Sequence, residues 1–437
     1  NDGTINVAGN NPVGIYAENN TNAPKANVTV SSDKQLTVGT DGVGIAVVSA
    51  TPAPMLVNHG TSDEGGTITV TAAGTGPDIK TGVNGKGIYA QNSNINLMGG
   101  DYVIETPEKG IGIFASGNTN VTGTLEYKYN GSTTGTGMGI VYDSAVTNNA
   151  DVKFTNATNT TGGMIGVYTT APSGTFTNNG DITGSSTALE FGIVSDGADI
   201  VNNKTITLGN AASQTDANVG IYAKSNNTIT NNDKVTVGDN AIGIYGYNVE
   251  NNKDIKAGDN GVAIYTQGSG TPSTTVNLNS GSTITVGKNQ AVGVYAVGSG
   301  QHINANTGSS MTIGDNSFGI VNVGSGNTVT SNTTNPVTLG TDAVYIYQND
   351  NTGHVFNYTP LTSTGDRNYG LYGNGTIENH GNIDFSTGNG NVGVYSTGGT
   401  ATNFANIKVG ASNTSAKEYG VGMATGYYDD NPASPTY

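Results

Sequence analysis

The chain has 437 residues, with 67 glycines, no Cys, no Trp and 11% charged residues. Glycine at 67 of 437, about 15%, is roughly twice common usage, and the charged fraction is under half the usual value of about 25%. The 16 Lys and Arg against 32 Asp and Glu leave a net charge of −16, which excludes a phosphate-backbone partner and so rules out nucleic acid.

Other classes fall with these numbers. The helix formers Ala, Leu, Glu, Lys and Arg give way to Gly, Asn, Thr, Val and Ile, with Arg only at Arg367, so an all-helical or doubly wound fold is excluded. No apolar run is long enough to cross a bilayer as a helix, so no direct membrane insertion is expected. The start, Asn1-Asp2-Gly3-Thr4-Ile5, lacks the basic and apolar regions of a signal peptide, and the chain reads as a piece of something larger. Zero cysteines removes disulfides and thiolate metal sites and suits an exported bacterial surface protein.

One five-residue phrase recurs from end to end: apolar, Gly, Ile or Val, Tyr or apolar, small. In chain order its copies begin at Val13, Val43, Lys86, Ile111, Met138, Ile165, Phe191, Val219, Ile242, Val262, Val292, Phe318, Ala343, Tyr369, Val392 and Val421. From Gly14 to Gly422 that is a mean period of about 27 residues. Most copies follow a Thr-Val-Gly-like phrase such as Val235-Thr236-Val237-Gly238, itself preceded by paired Asn such as Asn178-Asn179 or Asn231-Asn232. Each period thus predicts three short strands separated by Gly, Asn and Asp turns.

Such a unit cannot bury its apolar face alone and must stack on its neighbours. The predicted fold is all-β: a parallel β-helix of about 16 coils of roughly 27 residues, forming one domain over 1–425. At strand spacing this makes a rod of roughly 75 Å. The longest excursions fall within 48–85, and 426–437 reads as an irregular tail. Alternation places the first, third and fifth phrase positions inward and the Gly and Tyr outward.

On that reading Tyr222, Tyr245, Tyr265 and Tyr295 form an external ladder, either a docking strip or simply a cross-strand stack stiffening the sheet. The elaborated stretch containing Tyr127 and Tyr129 supplies further candidate binding residues, since loops leaving a regular scaffold commonly carry specificity. Paired Asn read as stacking corners. The turns at Asp239, Asp259 and Asp315 read as ordinary Asp/Asn turns rather than calcium ligands, because the calcium nonapeptide pattern is absent. His59, His302, His354 and His380 are far apart and outside any catalytic motif. No catalytic residue, metal or cofactor is expected.

The Val-Gly-Ile-Tyr-Ala phrase, the Thr-Val-Gly with Asn-rich turns, the absence of Cys and the dominance of Lys over Arg resemble the passenger region of type V autotransporters. The similarity is greatest to the large fusobacterial outer-membrane adhesins and covers Val13 to Met423. The resemblance implies a monomeric passenger at the bacterial cell surface, with a signal peptide before it and a β-barrel after it. It implies attachment, with partners among host-cell receptors, host glycans and the surfaces of other bacteria in coaggregation. Two other roles are weighed: a passive spacer carrying a distal tip, and a β-helical polysaccharide-degrading enzyme, which the single Arg and sparse acids disfavour.

Overall fold

The computed structural model describes residues 4–19, 27–31, 35–49, 67–71, 77–131, 135–156, 163–184 and 189–426. The expected excursion around Thr51 to Pro54 and the tail beyond 426 lie outside the described residues. The chain falls into two compact units, Asn1–Asn227 and Thr228–Tyr437. Among the described residues the fold is all-β without a helix, its parallel strands stacked as a β-solenoid of about 14 turns, close to the expected number.

In both units a coil carries three strands in fixed order. In the first unit one coil runs through Gly163–Thr169, Thr175–Asn178 and Ile182–Gly184; each pairs in parallel with its counterpart in the next, Glu190–Ser195, Asp199–Asn202 and Ile206–Thr207. In the second unit Tyr369–Gly373, Thr376–Asn379 and Ile383–Phe385 pair in the same way with Val392–Ser396, Thr400–Asn403 and Ile407–Val409. Val and Ile suit these pleated, half-buried positions, while the turns use residues that tolerate left-handed backbone. Asn240, Asn260 and Asn316, between the third strand of one coil and the first of the next, have φ of 56°, 56° and 52°.

The core is a set of aliphatic columns such as Ile88, Ile113 and Ile140, all fully buried. Each such side chain contributes roughly 1.5–3 kcal/mol on burial.

The phrase does not alternate as its sequence suggests. In Lys86–Gln91, Gly87, Ile88 and Ala90 are buried while Lys86 and Tyr89 are half-buried; Ile111–Ser116 repeats the pattern. The expected inward first position is therefore outward, on the same side as the fourth, and two consecutive residues, the Gly and the Ile, face the core. The physical reason is close approach of successive coils. A Cβ placed on Gly87, Gly112 or Gly139 would lie 2.6, 2.6 or 2.5 Å from the carbonyl oxygen of the equivalent Gly one coil on. Gly293 and Gly393 repeat this at 2.5 Å. Glycine accepts this approach with no side chain to displace, and where the position is not Gly, at Ala263 and Tyr345, the side chain is buried.

A second column is polar. Asn148, Asn178 and Asn202 are fully buried, and each Nδ2 that faces the next coil donates to its Asn Oδ1, at 2.8 Å (Asn148 to Asn178) and 2.9 Å (Asn178 to Asn202). The same amide groups donate to the carbonyl two residues on, Asn178 to Gly180 at 2.8 Å. In the second unit Asn357, Asn379 and Asn403 repeat the arrangement at 2.8 Å per step. The preceding coils place Leu278, Ala305 and Ser331 at this position. The second Asn of each pair points outward and forms its own column, Asn149, Asn179 and Asn203, at 3.0 and 2.9 Å, with Asn149 donating also to Asn120 Oδ1 at 2.8 Å. These hydrogen bonds close the corners between the second and third strands, as buried polar groups require.

Substituting Gly139→Ala is expected to destabilise the protein by about 1–3 kcal/mol through overpacking, whereas Gly163→Ala, with no neighbour among the described residues nearer than 3.8 Å to the added carbon, is expected to be near neutral. Urea unfolding of both variants followed by circular dichroism checks this; equal midpoints would show that the close approach is not limiting.

Candidate binding surfaces

The outward fourth position of the phrase carries the expected tyrosines. In the second unit Tyr245, Tyr265 and Tyr295 are register partners. Their ring centroids are separated by 4.7 and 5.5 Å, the first pair stacked at 12° and the second tilted at 31°. Stacked pairs of this kind add about 0.5–1.5 kcal/mol each beyond area burial. Burial, then the neighbouring Tyr295, pushes the Tyr265 hydroxyl pKa above its ordinary value. Tyr222 belongs to the first unit, where its ring meets the edge of Phe191 at 6.0 Å. Phe191 stands at the first phrase position, so this contact follows from the first and fourth positions sharing one face.

A second run, Tyr347, Tyr372 and Tyr395, continues on the same face beyond Val321, with centroids 5.3 and 5.4 Å apart. Tyr347 does not fall at the fourth position when the phrase is started at Ala343. The register pairs Val344, Ile346 and Tyr347 with Phe318, Ile320 and Val321, so the copy begins at Val344 rather than Ala343 and its Gly position is filled by Tyr345. That ring is fully buried, with its hydroxyl 2.6 Å from Ser331 Oγ, the short residue standing in the Asn column. Aligning on the Tyr of the phrase rather than on its apolar start would have found it.

Tyr127 and Tyr129 are not surface residues. They lie in Asn120–Tyr129, where second and third strands run on as one, and strict alternation sends Leu125, Tyr127 and Tyr129 into the core with Glu126 and Lys128 outside, paired at 3.1 Å. Both tyrosines are fully buried. Tyr127 Oη lies 2.6 Å from Thr106 Oγ1 and donates to the Gly110 carbonyl at 3.1 Å, and burial pushes its pKa far up. This part of the first unit fills its interior with rings, Tyr102, Tyr142, Phe154 and Phe176 among them, where neighbouring coils use Ile and Val. In the described residues of this stretch the two expected surface rings are part of the core filling.

A further aromatic column escaped sequence reasoning. In the last described coils the outer Asn is replaced, giving Asn357-Tyr358, Asn379-His380 and Asn403-Phe404. Tyr358 stacks on His380 at 4.7 Å, and His380 on Phe404 at 4.5 Å. His380 Nε2 lies 3.1 Å from Glu378 Oε2. Tyr358 and Phe404 are 44% and 63% exposed. The change from Asn-Asn to Asn-aromatic is visible in the sequence once the coils are aligned. His302 and His354 are exposed positions on separate strands, and His59 lies outside the described residues.

The turn carboxylates are occupied by the neighbouring coil. Asp239 Oδ1 accepts from the Asp259 amide at 2.8 Å, Asp259 Oδ1 from the Lys288 amide at 2.8 Å, and Asp315 Oδ1 from the Thr341 amide at 3.0 Å. Each acid thus caps the turn beneath it. Among the described residues no group of three His, Asp or Glu is placed to hold a metal ion.

No known protein-family model, curated protein or solved structure matches this chain.

The Lys288 ammonium, 2.8 Å from Asp315 Oδ2, and the Thr341 amide hold the Asp315 pKa below its ordinary value. Asp384 is lowered by the Ser386 hydroxyl and amide, with Lys408 adding to it. A carboxyl with a depressed folded-state pKa contributes stability that is complete above the ordinary carboxyl value near 3.8 and is lost as pH falls through the lowered value. The melting temperature is therefore expected to fall on acidification below that range, and to fall less in Lys288→Met. An unchanged pH profile in this variant would remove the pair from the stability account.

Proposed function

We propose that this chain is a non-enzymatic attachment segment of a cell-surface adhesin, held outside a bacterial cell and presenting the sides of its solenoid to other bacteria or host cells. The observation that carries the reading is the pair of outward tyrosine runs, Tyr245–Tyr265–Tyr295 and Tyr347–Tyr372–Tyr395, one aromatic ring per coil in each run. Such columns offer apolar ring faces with polar ends, the side-chain type that dominates contact sites. A β-solenoid suits such a role because stacked coils hold surface groups at a fixed pitch. The net charge of −16 adds long-range attraction for a basic partner surface.

A second reading, a passive spacer, has its own support. The tyrosines are partly consumed by stacking on each other, as a stiffening ladder would be.

Direct binding of the purified chain to streptococci and to epithelial cells separates the two. On the attachment reading the chain decorates at least one cell type, the triple change Tyr245→Ser, Tyr265→Ser and Tyr295→Ser reduces decoration while the protein remains folded, and added salt weakens it. Absence of decoration supports the spacer, and decoration indifferent to the triple change moves the contact away from this ladder.

A further inference from the structure

Tyr245, Tyr265 and Tyr295 are strand partners on three successive coils. The first two rings lie nearly parallel, 4.7 Å apart at 12°, and the next pair is 5.5 Å apart at 31°. These are separations at which aromatic rings are in contact. All three side chains are half-buried, so the sheet holds each ring against its neighbour while small reagents still reach it. The run stops at Val321, the strand partner of Tyr295 on the following coil.

Composition directs one-electron oxidation to these rings. Tryptophan, cysteine and tyrosine are the side chains that give up a single electron most readily, and the chain has no Trp, no Cys and 22 Tyr. Its 6 Met react with peroxide in another way, taking an oxygen atom at sulfur to give the sulfoxide. A radical formed on any ring of the run therefore has another phenol in contact as its nearest redox partner, with no indole or thiol in the chain to discharge it. Tyr89 is the contrasting case: it stacks on Phe114 at 5.7 Å and 11°, and the partner has no phenol to oxidise. Its register partner on the other side is Ala46.

The same arrangement keeps the reaction within one chain. A net charge of −16 makes copies of the protein repel one another, whereas two rings held in contact react at the high effective concentration of an intramolecular pair. Tyr245 and Tyr295 are two coils apart, about twice the strand spacing, with the Tyr265 ring between them, and so do not meet. Of the two adjacent pairs, Tyr245 and Tyr265 are the closer and the more nearly parallel.

We propose that Tyr245 and Tyr265 form an oxidative cross-linking site, at which a haem peroxidase and hydrogen peroxide join two successive coils through a dityrosine bond. Each phenol gives up its hydroxyl hydrogen as one electron and one proton. The two radicals form a carbon–carbon bond between ring positions ortho to the hydroxyls, and the two ortho hydrogens return to the phenol oxygens as the rings become aromatic again. In sum, two tyrosines and one hydrogen peroxide give one dityrosine and two waters. The bond ties together coils that otherwise meet through hydrogen bonds and packing alone, and the site does not rest on the attachment reading.

The test treats the purified full chain with a haem peroxidase and dilute hydrogen peroxide, isolates the monomer on a denaturing gel and digests it with trypsin. Cleavage after Lys234, Lys253, Lys256, Lys288 and Arg367 leaves Tyr245, Tyr265 and Tyr295 in separate peptides, 235–253, 257–288 and 289–367. Mass spectrometry is expected to find the first two joined with the loss of two hydrogens, at a yield independent of protein concentration, with fragment ions placing the bond on Tyr245 rather than Tyr247. The joined pair is expected to vanish in Tyr245→Phe and in Tyr265→Phe, each of which keeps the ring and its stacking, and the peptide 87–109 that carries Tyr89 to remain unjoined. Absence of dityrosine, joining of 235–253 to 289–367 as often as to 257–288, the same pattern in the urea-unfolded chain, joining confined to covalent dimers, or a joined pair that persists in either Phe variant would overturn the proposal.

Discussion

The structure depends on the distance between one coil's backbone and the next at the second position of the repeated phrase. There the carbonyl oxygen of one coil occupies the space that a side chain of its neighbour would fill, as Gly139 and Gly166 show at 2.5 Å. That contact lets Gly and Ile face inward in succession, which throws the first and fourth positions onto one outer face. The aromatic runs and the Phe191–Tyr222 contact both follow from this local break in alternation. Glycine's abundance is therefore concentrated geometry rather than general flexibility, and it accounts for a chain that carries an ordered core on an unusual composition.

Close backbone approach leaves the corners to be satisfied without water, and asparagine does this. Its amide can donate and accept at once, so one residue type repeated per coil makes a continuous column: Asn148, Asn178 and Asn202 inside, Asn149, Asn179 and Asn203 outside. The acids at the turns act in the same way toward backbone amides of the next coil. Since these groups are taken up by stacking, the outer surface varies where the rule is relaxed: rings in place of Asn at Tyr358, His380 and Phe404, and a turn that leaves the path at Asn413 to Glu418. Among the described residues these relaxations lie in the second unit.

Much of this was legible in the sequence, for physical reasons. A phrase recurring every 27 residues or so demands stacking, and β-branched residues between Gly and Asn turns demand strands, so the parallel solenoid and the outward Tyr ladder could be read directly. What escaped depended on side-chain direction. Alternation assumed through Gly87 or Gly112 put Lys86 and Ile111 on the wrong face, because no composition signal announces a carbonyl from another coil. The same rule, applied faithfully from Leu125, would have buried Tyr127 and Tyr129; reading their stretch as a loop concealed it. The ion pairs of Arg367 join it to Asp342 and Glu418, brought together by coil stacking plus one antiparallel bridge, and pairwise spacing alone does not reveal them.

The most direct test of the stacking register exploits the absence of cysteine. Thr285 and Thr312 are outward-facing register partners in adjacent coils, and Thr338 is the next in the column. Cα atoms in adjacent strands lie about 4.8 Å apart, inside disulfide range, whereas two coils span about twice that and exceed it. Oxidation of the double variant Thr285→Cys/Thr312→Cys is expected to close a disulfide in the folded protein, and Thr285→Cys/Thr338→Cys to leave free thiols, counted by mass after alkylation. Equal closure in both, or closure in neither, would contradict the account.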